Sequence, residues 1–168
     1  MSETRGVGAS VSSGSRSPSD WVRPAISSDY PAIVNMLQAL ATHIGAGEKP
    51  KVTVEVLERD GPMGHGNFQL LVAENEGQIL GLCLYTFAFS GWRGMSGLFI
   101  EDLYVAPEAR GLSLGKTLMD QALAREKHRG AGYLKLEVSS ADDAAVRFYT
   151  KLGFTKHDVI NTMSYQPP

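Results

Sequence analysis

Cysteine, clustered charge and long apolar runs are scarce in this chain, and each shortage excludes a class of protein. The 168 residues contain one cysteine, Cys83, so no internal disulfide can form. Because Cys83 lies within the apolar run 79–87, we expect a small buried side chain. The 16 Lys and Arg residues are scattered and, with 18 Asp and Glu, give a net charge of -2. We therefore expect no nucleic-acid partner.

The sequence also has no obvious membrane segment and no metal-ligand cluster. No stretch approaches the ~18 apolar residues that a membrane span requires, and the first residues lack the apolar core of a signal peptide. We expect no membrane partner. Because the chain has a single cysteine, we also expect a cytoplasmic location. The four histidines, at positions 43, 65, 128 and 157, have no ligand-like spacing, so no metal is predicted.

Composition divides the chain into a tail and a single domain. Residues 1–19 are dominated by Ser and Gly, which bury too little apolar surface to offset the entropy of ordering. We predict a disordered tail there. Residues 20–168 are enough for one well-packed domain.

Apolar periodicity along residues 20–168 predicts a mixed sheet with helices on its faces. Strands are expected at 21–25, 68–73, 78–89, 98–105 and 134–138, with a last one from 153 toward 165. Helices are expected after 27–29, over 52–59, from 114 to about 130 and after 142. On the fifth strand Tyr133, Lys135 and Glu137 alternate with apolar residues, and Trp92 and Arg93 occupy the turn before the fourth.

The segment 100–116 reads I-E-D-L-Y-V-A-P-E-A-R-G-L-S-L-G-K and predicts an anion-binding turn. Pro107 ends an apolar strand, and the glycines that follow let the backbone come close to a ligand. Backbone N–H groups from Gly111 to Lys116 would then point at an anion from a helix N-terminus.

Two motifs give the chain a family resemblance. Residues 110–115, R-G-L-S-L-G, match the acyl-CoA signature [Q/R]-x-x-G-x-[G/A] at all fixed positions but 113. Residues 142–154, D-D-A-A-V-R-F-Y-T-K-L-G-F, match N-x-x-A-x-x-F-Y-x-x-x-G-F at all fixed positions but 142. In both motifs and in element order the chain resembles the GNAT family of N-acetyltransferases. The resemblance implies one N-acetyltransferase domain over residues 20–168. It also implies the α/β (α+β) class, with a mixed, mainly antiparallel central sheet flanked by helices on both faces.

The resemblance further implies acetyl-CoA as cosubstrate and assigns residues to its binding. These are Leu103, Tyr104, Val105, Arg110, Gly111, Leu112, Ser113, Leu114, Gly115, Lys116, Asp142 and Tyr149. Two of them depart from the family pattern. Ser113 stands where Gly is usual but still supplies a backbone N–H. Asp142 stands where Asn is usual, so it keeps the helix cap and loses an amide donor.

Transfer of an acetyl group to an amine requires that the amine lose a proton and that the leaving thiolate be protonated or stabilised. Tyr149 resembles the family's general acid, whose hydroxyl lies near the CoA sulfur. A phenol with a reference pKa of about 10 is protonated at neutral pH, so it can donate. The alternative is a tyrosine that only packs a helix on the core.

Glu101 is the predicted general base, acting directly or through water. By period two it shares a strand face with Phe99 and Leu103, where partial desolvation would raise its pKa. Asp102 would then point the opposite way. The alternative for Glu101 is a solvated carboxylate at the opening of a strand.

Within the family, the run F-I-E-D-L-Y-V at 99–105 resembles the diamine acetyltransferase branch, which includes spermidine/spermine and thialysine N-acetyltransferases. This resemblance implies a small-molecule amine acceptor, cationic in character, with Glu101 and Asp102 supplying negative potential beside it. It also implies a homodimer. Three alternatives stay open: acetylation of a protein N-terminus or lysine, acetylation of another small amine or amino acid, and a non-catalytic acyl-CoA-binding module.

Overall fold

A computed structural model describes residues 17–138 and 142–157. Its strands are β1 Val22–Pro24, β2 Gln69–Asn75, β3 Gln78–Ser90, β4 Met95–Val105 and β5 Ala131–Leu136. Its α-helices are α1 Tyr30–His43, α2 Val54–Asp60, α3 Leu114–Glu126 and α4 Asp143–Lys151. Short 3₁₀ turns occur at Pro18–Trp21, Ser27–Asp29, Pro107–Ala109 and Lys127–Arg129. The predicted order of elements is therefore confirmed from the first strand through α4.

The two ends of the predicted order fall partly outside the described residues. The predicted tail 1–19 has residues 1–16 outside them, and its last residues enter the turn Pro18–Trp21. Residues 153–157 follow α4 without forming a strand, and residues 158–165 of the predicted final strand lie outside the described part. Across residues 17–138 and 142–157, no helix is both long and apolar enough to span a bilayer.

The described sheet has five strands in the order β1-β2-β3-β4-β5. The first four pair antiparallel, and β5 joins β4 in parallel. The parallel pair arises because the chain crosses over through α3 between β4 and β5. The predicted mixed, mainly antiparallel sheet is thus confirmed.

Each face of the sheet has its own apolar cluster. Alternation along β2 sends Leu70 and Val72 to the cluster under α1 and α2, and Leu71 and Ala73 to the cluster under α3. Cys83 is fully buried in the α3 cluster and forms no disulfide, as predicted. Its burial and the charge of Asp102 raise the pKa of the thiol to about 12. Helices thus pack on both faces of the sheet, and the candidate site lies near the ends of the strands.

A β-bulge interrupts β4 at Glu101. Ile100 lies opposite Tyr85 and Asp102 lies opposite Leu84, so Glu101 is the extra residue with no partner of its own in the register. The bulge changes which residues share a face. Before it, Leu98 and Ile100 pack in the α3 cluster; after it, the residues at 103 and 105 do.

The prediction that Glu101 and Leu103 share a face is therefore wrong. Leu103 packs under α3, whereas Glu101 accepts a hydrogen bond from Thr86 Oγ1 at 3.0 Å. Thr86 follows Tyr85 of the α3 cluster, so by alternation it lies on the opposite face. Asp102 is paired with Leu84, which packs in the α1–α2 cluster. Asp102 thus lies on the same face as Glu101 and not opposite to it.

Candidate active site

The pairing between β4 and β5 stops just before the bulge. The parallel ladder joins residues 96–100 of β4 to residues 131–136 of β5, and β5 stops at Leu136. Beyond Ile100, β4 continues to Val105 with no strand beside it on that edge among the described residues. An extended ligand could therefore pair with backbone groups along that edge. Leu103, Tyr104 and Val105, the predicted backbone contacts, lie on this open stretch.

The N-terminus of α3 forms a turn that fits an anion. The backbone adopts positive φ at Gly111 (84°) and at Ser113 (60°), which turns the chain from Arg110 into the helix. The Ser113 side chain does not cap the helix, and the first helical bond is donated by Thr117 N–H to the Ser113 carbonyl at 3.0 Å. The N–H groups of Leu114, Gly115 and Lys116 precede it and have no acceptor within the helix. Such donors fit a pyrophosphate.

Side chains contribute little to this turn. Arg110 Nε donates to the carbonyl of Val105 at 3.3 Å, which ties the turn to the end of β4. Lys116 pairs with Asp120 one helical turn later. Leu112 is exposed. The predicted anion site is therefore built mainly from backbone N–H groups.

Ser113 occupies a conformation that glycine adopts most readily. Its φ of 60° and ψ of 16° lie in the left-handed region, where a non-glycine residue costs about 1–2 kcal/mol. The family pattern alone indicates only that a backbone N–H is needed at this position. The left-handed conformation is a second reason why glycine is usual here, because serine adopts this conformation only with backbone strain.

Gly115 is the residue at which the two sequence motifs pack against each other. A Cβ at this position would lie 3.2 Å from Phe148 Cζ on α4 and 3.6 Å from Leu103 Cδ2 on β4. A contact of 3.2 Å is tighter than most real side chains tolerate. The glycine therefore lets α3 approach both β4 and α4, which explains in physical terms why the first motif requires a small residue beside the second.

Tyr149 lies on α4 beside this contact. Asp142 caps the helix by accepting the N–H of Ala145 at 2.9 Å, so the cap expected of the aspartate is confirmed. The ring of Tyr149 packs edge-on against Phe148 and Phe154, with centroids 5.1 and 5.5 Å apart. Burial, with smaller effects of Cys83 and Asp142, raises the pKa of Tyr149 to about 12. The phenol is therefore protonated at neutral pH.

The two acidic residues differ from the prediction in burial. Glu101 is exposed, so the desolvation expected of it is wrong. Asp102 is the half-buried carboxyl, and burial, followed by the charge of Glu101, raises its pKa. The bulge is the physical reason, because it places both residues on one face with Asp102 closer to the core.

A cleft of about 1580 Å³ runs along β5 and α4, with Tyr149 and Phe99 in its wall. Sequence reasoning did not assign the cleft residues Trp92, Tyr133 and Lys135 to a site. The signal was present: Tyr133 and Lys135 alternate with leucines that pack, partly buried, in the α3 cluster, so Tyr133 and Lys135 share the opposite face of β5. Within the described ranges, no group of three or more His, Cys, Asp or Glu side chains is arranged to hold a metal ion.

Comparison with known proteins agrees with this geometry. The model of the Acetyltransferase (GNAT) family matches residues 35–154. The thialysine N-epsilon-acetyltransferase of Sus scrofa is 31% identical over 140 residues, which cover 79% of this chain and 82% of that protein. The streptothricin acetyltransferase of Streptomyces lavendulae is 40% identical over 67 residues, covering 40% of this chain and 34% of that protein.

A solved structure supports the fold. An aminoglycoside acetyltransferase from an uncultured soil metagenomic sample, in complex with sisomicin, superposes with a TM-score of 0.69 at 17% identity. The match covers 88% of this chain and 95% of the other. At that identity the similarity concerns the fold alone. The family match over most of the chain, the relatives and the paired motifs lead to one conclusion: the chain belongs to the GNAT family of acetyltransferases and is an N-acetyltransferase.

Proposed function

We propose that this enzyme transfers the acetyl group of acetyl-CoA to the primary amine of a small, cationic acceptor by direct attack. One observation carries the proposal: the open edge of β4 separates Tyr149 and the anion turn from the acidic pair Glu101 and Asp102. If a thioester lies along that edge, the amine would approach it from one face of the sheet and the Tyr149 hydroxyl would approach it from the other.

Acetyl-CoA fits the first side of this arrangement. The backbone donors at the start of α3 suit its pyrophosphate, and the free edge of β4 at residues 103–105 suits the amide-containing pantetheine arm. Gly115 keeps this edge close to the helix. In this assignment Arg110 and Asp142 hold the shape of the site rather than contact the reacting atoms.

The acceptor amine would approach from the acidic side. Its ammonium gives a proton to Glu101, directly or through water, and the proton passes to solvent. The neutral amine nitrogen then forms a bond to the acetyl carbon, and the carbon–sulfur bond breaks. The nitrogen loses its second proton as the amide forms, and the departing sulfur takes up a proton through solvent and leaves as free thiol. Asp102, whose pKa is raised, is the second carboxyl able to take the ammonium proton. Together the two carboxyls favour a cationic acceptor.

Tyr149 would act on the leaving sulfur. A phenol with a pKa of about 12 is a weaker acid than an ordinary thiol, with a pKa of about 8.5, so complete transfer of its proton is uphill. We therefore assign to the hydroxyl a hydrogen bond to the developing thiolate, which stabilises negative charge without requiring full transfer. In this role Tyr149 donates a hydrogen bond to the sulfur and keeps its proton.

The acceptor class is supported by the residues and by relatives. The acidic pair favours an amine-bearing cation. The thialysine N-epsilon-acetyltransferase of Sus scrofa is similar to this chain over most of its length. We propose a polyamine or a thialysine-like amino acid as the acceptor. On the resemblance to the diamine acetyltransferase branch we propose a homodimer, to be tested by light scattering. On the single cysteine of the sequence we propose a cytoplasmic location.

Release of free thiol from acetyl-CoA tests this function. Polyamines, lysine analogues, other amino acids and peptides are each supplied as acceptor, and the products are identified by mass spectrometry. Thiol release with small amines, matched by one acetyl group per product, is expected. Thiol release with peptides alone would contradict a small acceptor and indicate that the acceptor is a protein. Stabilisation by acetyl-CoA with no release for any amine would indicate a binding module.

A further inference from the structure

The face of the sheet that carries Glu101 and Asp102 is here called the acceptor face. On it, a row of side chains across three strands has an acidic residue at one end and a basic residue at the other. Thr86 of β3 lies opposite Phe99 of β4, and Phe99 lies opposite Lys135 of β5. At one end Glu101 accepts a hydrogen bond from Thr86 at 3.0 Å. At the other end the Lys135 ammonium lies 5.4 Å from the centre of the Phe99 ring. An acid and a cation thus flank the same short strip of surface.

A second cation lies beside the first. The Arg93 guanidinium sits 5.1 Å from the centre of the Tyr133 ring. Tyr133 and Lys135 are two residues apart on β5, so they share a face. Gly97 makes room for the Tyr133 ring, because a Cβ there would lie 2.4 Å from it. The two cations are therefore positioned by aromatic rings rather than by acids.

Within residues 17–138 and 142–157, neither Arg93 nor Lys135 forms a salt bridge. Both line the cleft, together with Lys156 and one acidic side chain, Glu137. Arg93 and Lys135 give this wall a positive character, next to the acidic pair at the strand opening.

We propose that Lys135 and Arg93 bind a carboxylate of the acceptor. The preferred acceptor would then be an amino acid with a terminal amine on its side chain, rather than a polyamine. The inference rests on the proposed function, since it assumes that the amine attacks beside Glu101. A polyamine would instead bring a second ammonium toward two cations, which costs free energy.

The spacing suits such a molecule. The backbones at Thr86 and Lys135 are two strand spacings apart, roughly 10 Å. In lysine the terminal nitrogen and the carboxyl carbon are joined by six bonds of ~1.5 Å each, roughly 7–8 Å when extended. Hydrogen bonds of ~2.8 Å at both ends bring the molecule within reach of Glu101 and Lys135.

A matched pair of acceptors tests the inference. L-Lysine and cadaverine have the same carbon chain and terminal amine, and cadaverine lacks the carboxylate. Their kcat/KM values are measured by thiol release with the wild-type protein and with Lys135→Gln, Arg93→Gln and Lys135→Glu. Lys127→Gln, which removes an exposed cation outside the cleft, is the control. Product analysis confirms that the terminal amine carries the acetyl group.

The wild-type protein is expected to prefer lysine. Each Gln substitution should lower the lysine-to-cadaverine ratio roughly tenfold, the effect of one charge-assisted contact. Lys135→Glu should reverse the preference, and Lys127→Gln should leave the ratio unchanged. A wild-type preference for cadaverine, or a ratio that none of the cleft variants moves, overturns this inference and leaves the proposed function standing. No thiol release with any amine overturns both.

Discussion

Gly115 and Phe148 bring the two sequence motifs into contact, since a Cβ on the glycine would lie 3.2 Å from the phenylalanine ring. One motif supplies the anion turn and the other supplies Tyr149. Their contact fixes the distance between the part of the site that would hold the pyrophosphate and the part that would face the sulfur. Separate motifs along the chain thus act as one structural unit.

Substitution of Gly115 by Val should separate these elements. The added side chain meets Phe148 and Leu103, and overpacking of this kind costs about 1–3 kcal/mol. Urea unfolding should show that loss, and calorimetry should show weaker binding of acetyl-CoA. Ala124→Val, at an exposed position of the same helix, controls for the lower helix propensity of valine. Equal effects of the two substitutions would contradict the packing role of Gly115.

Ser113→Gly should relieve backbone strain. A φ of 60° costs a serine about 1–2 kcal/mol, which is partly offset by the greater unfolded-state entropy of glycine. We expect a stabilisation of up to about 1 kcal/mol in thermal unfolding, with unchanged affinity for acetyl-CoA because the backbone N–H is retained. Ser113→Val should destabilise by more than that. A destabilised glycine variant would show that the serine hydroxyl makes a contact of its own.

Tyr149→Phe should slow the reaction with little effect on binding. Loss of the hydrogen bond to the leaving sulfur is expected to lower kcat ~10–100-fold while the Kd for acetyl-CoA changes by less than about threefold. Tyr30→Phe is the control, because the Tyr30 hydroxyl is buried without a hydrogen-bond partner in the described part of the chain. That control should keep full activity. Undiminished turnover by the Tyr149 variant would remove the hydroxyl from the mechanism.

Asp102→Asn should stabilise the protein at neutral pH. Burial raises the pKa of Asp102 in the folded state, so its ionised form is disfavoured there and costs stability above that pKa. As the pH falls toward the ordinary Asp value of 3.8, the wild-type carboxyl takes up its proton and the advantage of the amide shrinks. Denaturant unfolding across this range measures the difference. Glu48→Gln, an exposed control, should show little change with pH.

A difference between wild type and Asp102→Asn that stays constant from neutral to acidic pH would contradict this account. So would an amide variant less stable than the wild type at neutral pH. Either result would mean that the carboxylate is better solvated or better paired than its half-buried position indicates.

The order of elements and both motifs were predictable because they depend on local patterns. Helix starts, turn glycines and apolar periodicity are written within a few residues of where they act. The cap by Asp142 and the burial of Cys83 followed from the same patterns. These features needed no knowledge of which strands pair.

The bulge at Glu101 was missed because it depends on register with a neighbouring strand. A strict period of two placed Glu101 with Leu103, although the apolar positions 98, 100, 103 and 105 change parity at this point. That change was the available signal. The strain at Ser113 and the cations beside Phe99 and Tyr133 likewise depend on tertiary contacts that a linear pattern does not specify.

The central claim is that this chain moves an acetyl group from acetyl-CoA to a small amine across the open edge of β4. Thiol release measured with thialysine, with the acetylated product counted by mass spectrometry, tests it most directly. The account predicts one acetylated product for each thiol released, and a large loss of rate in Tyr149→Phe. Binding of acetyl-CoA with no thiol release for thialysine or any other amine would contradict it.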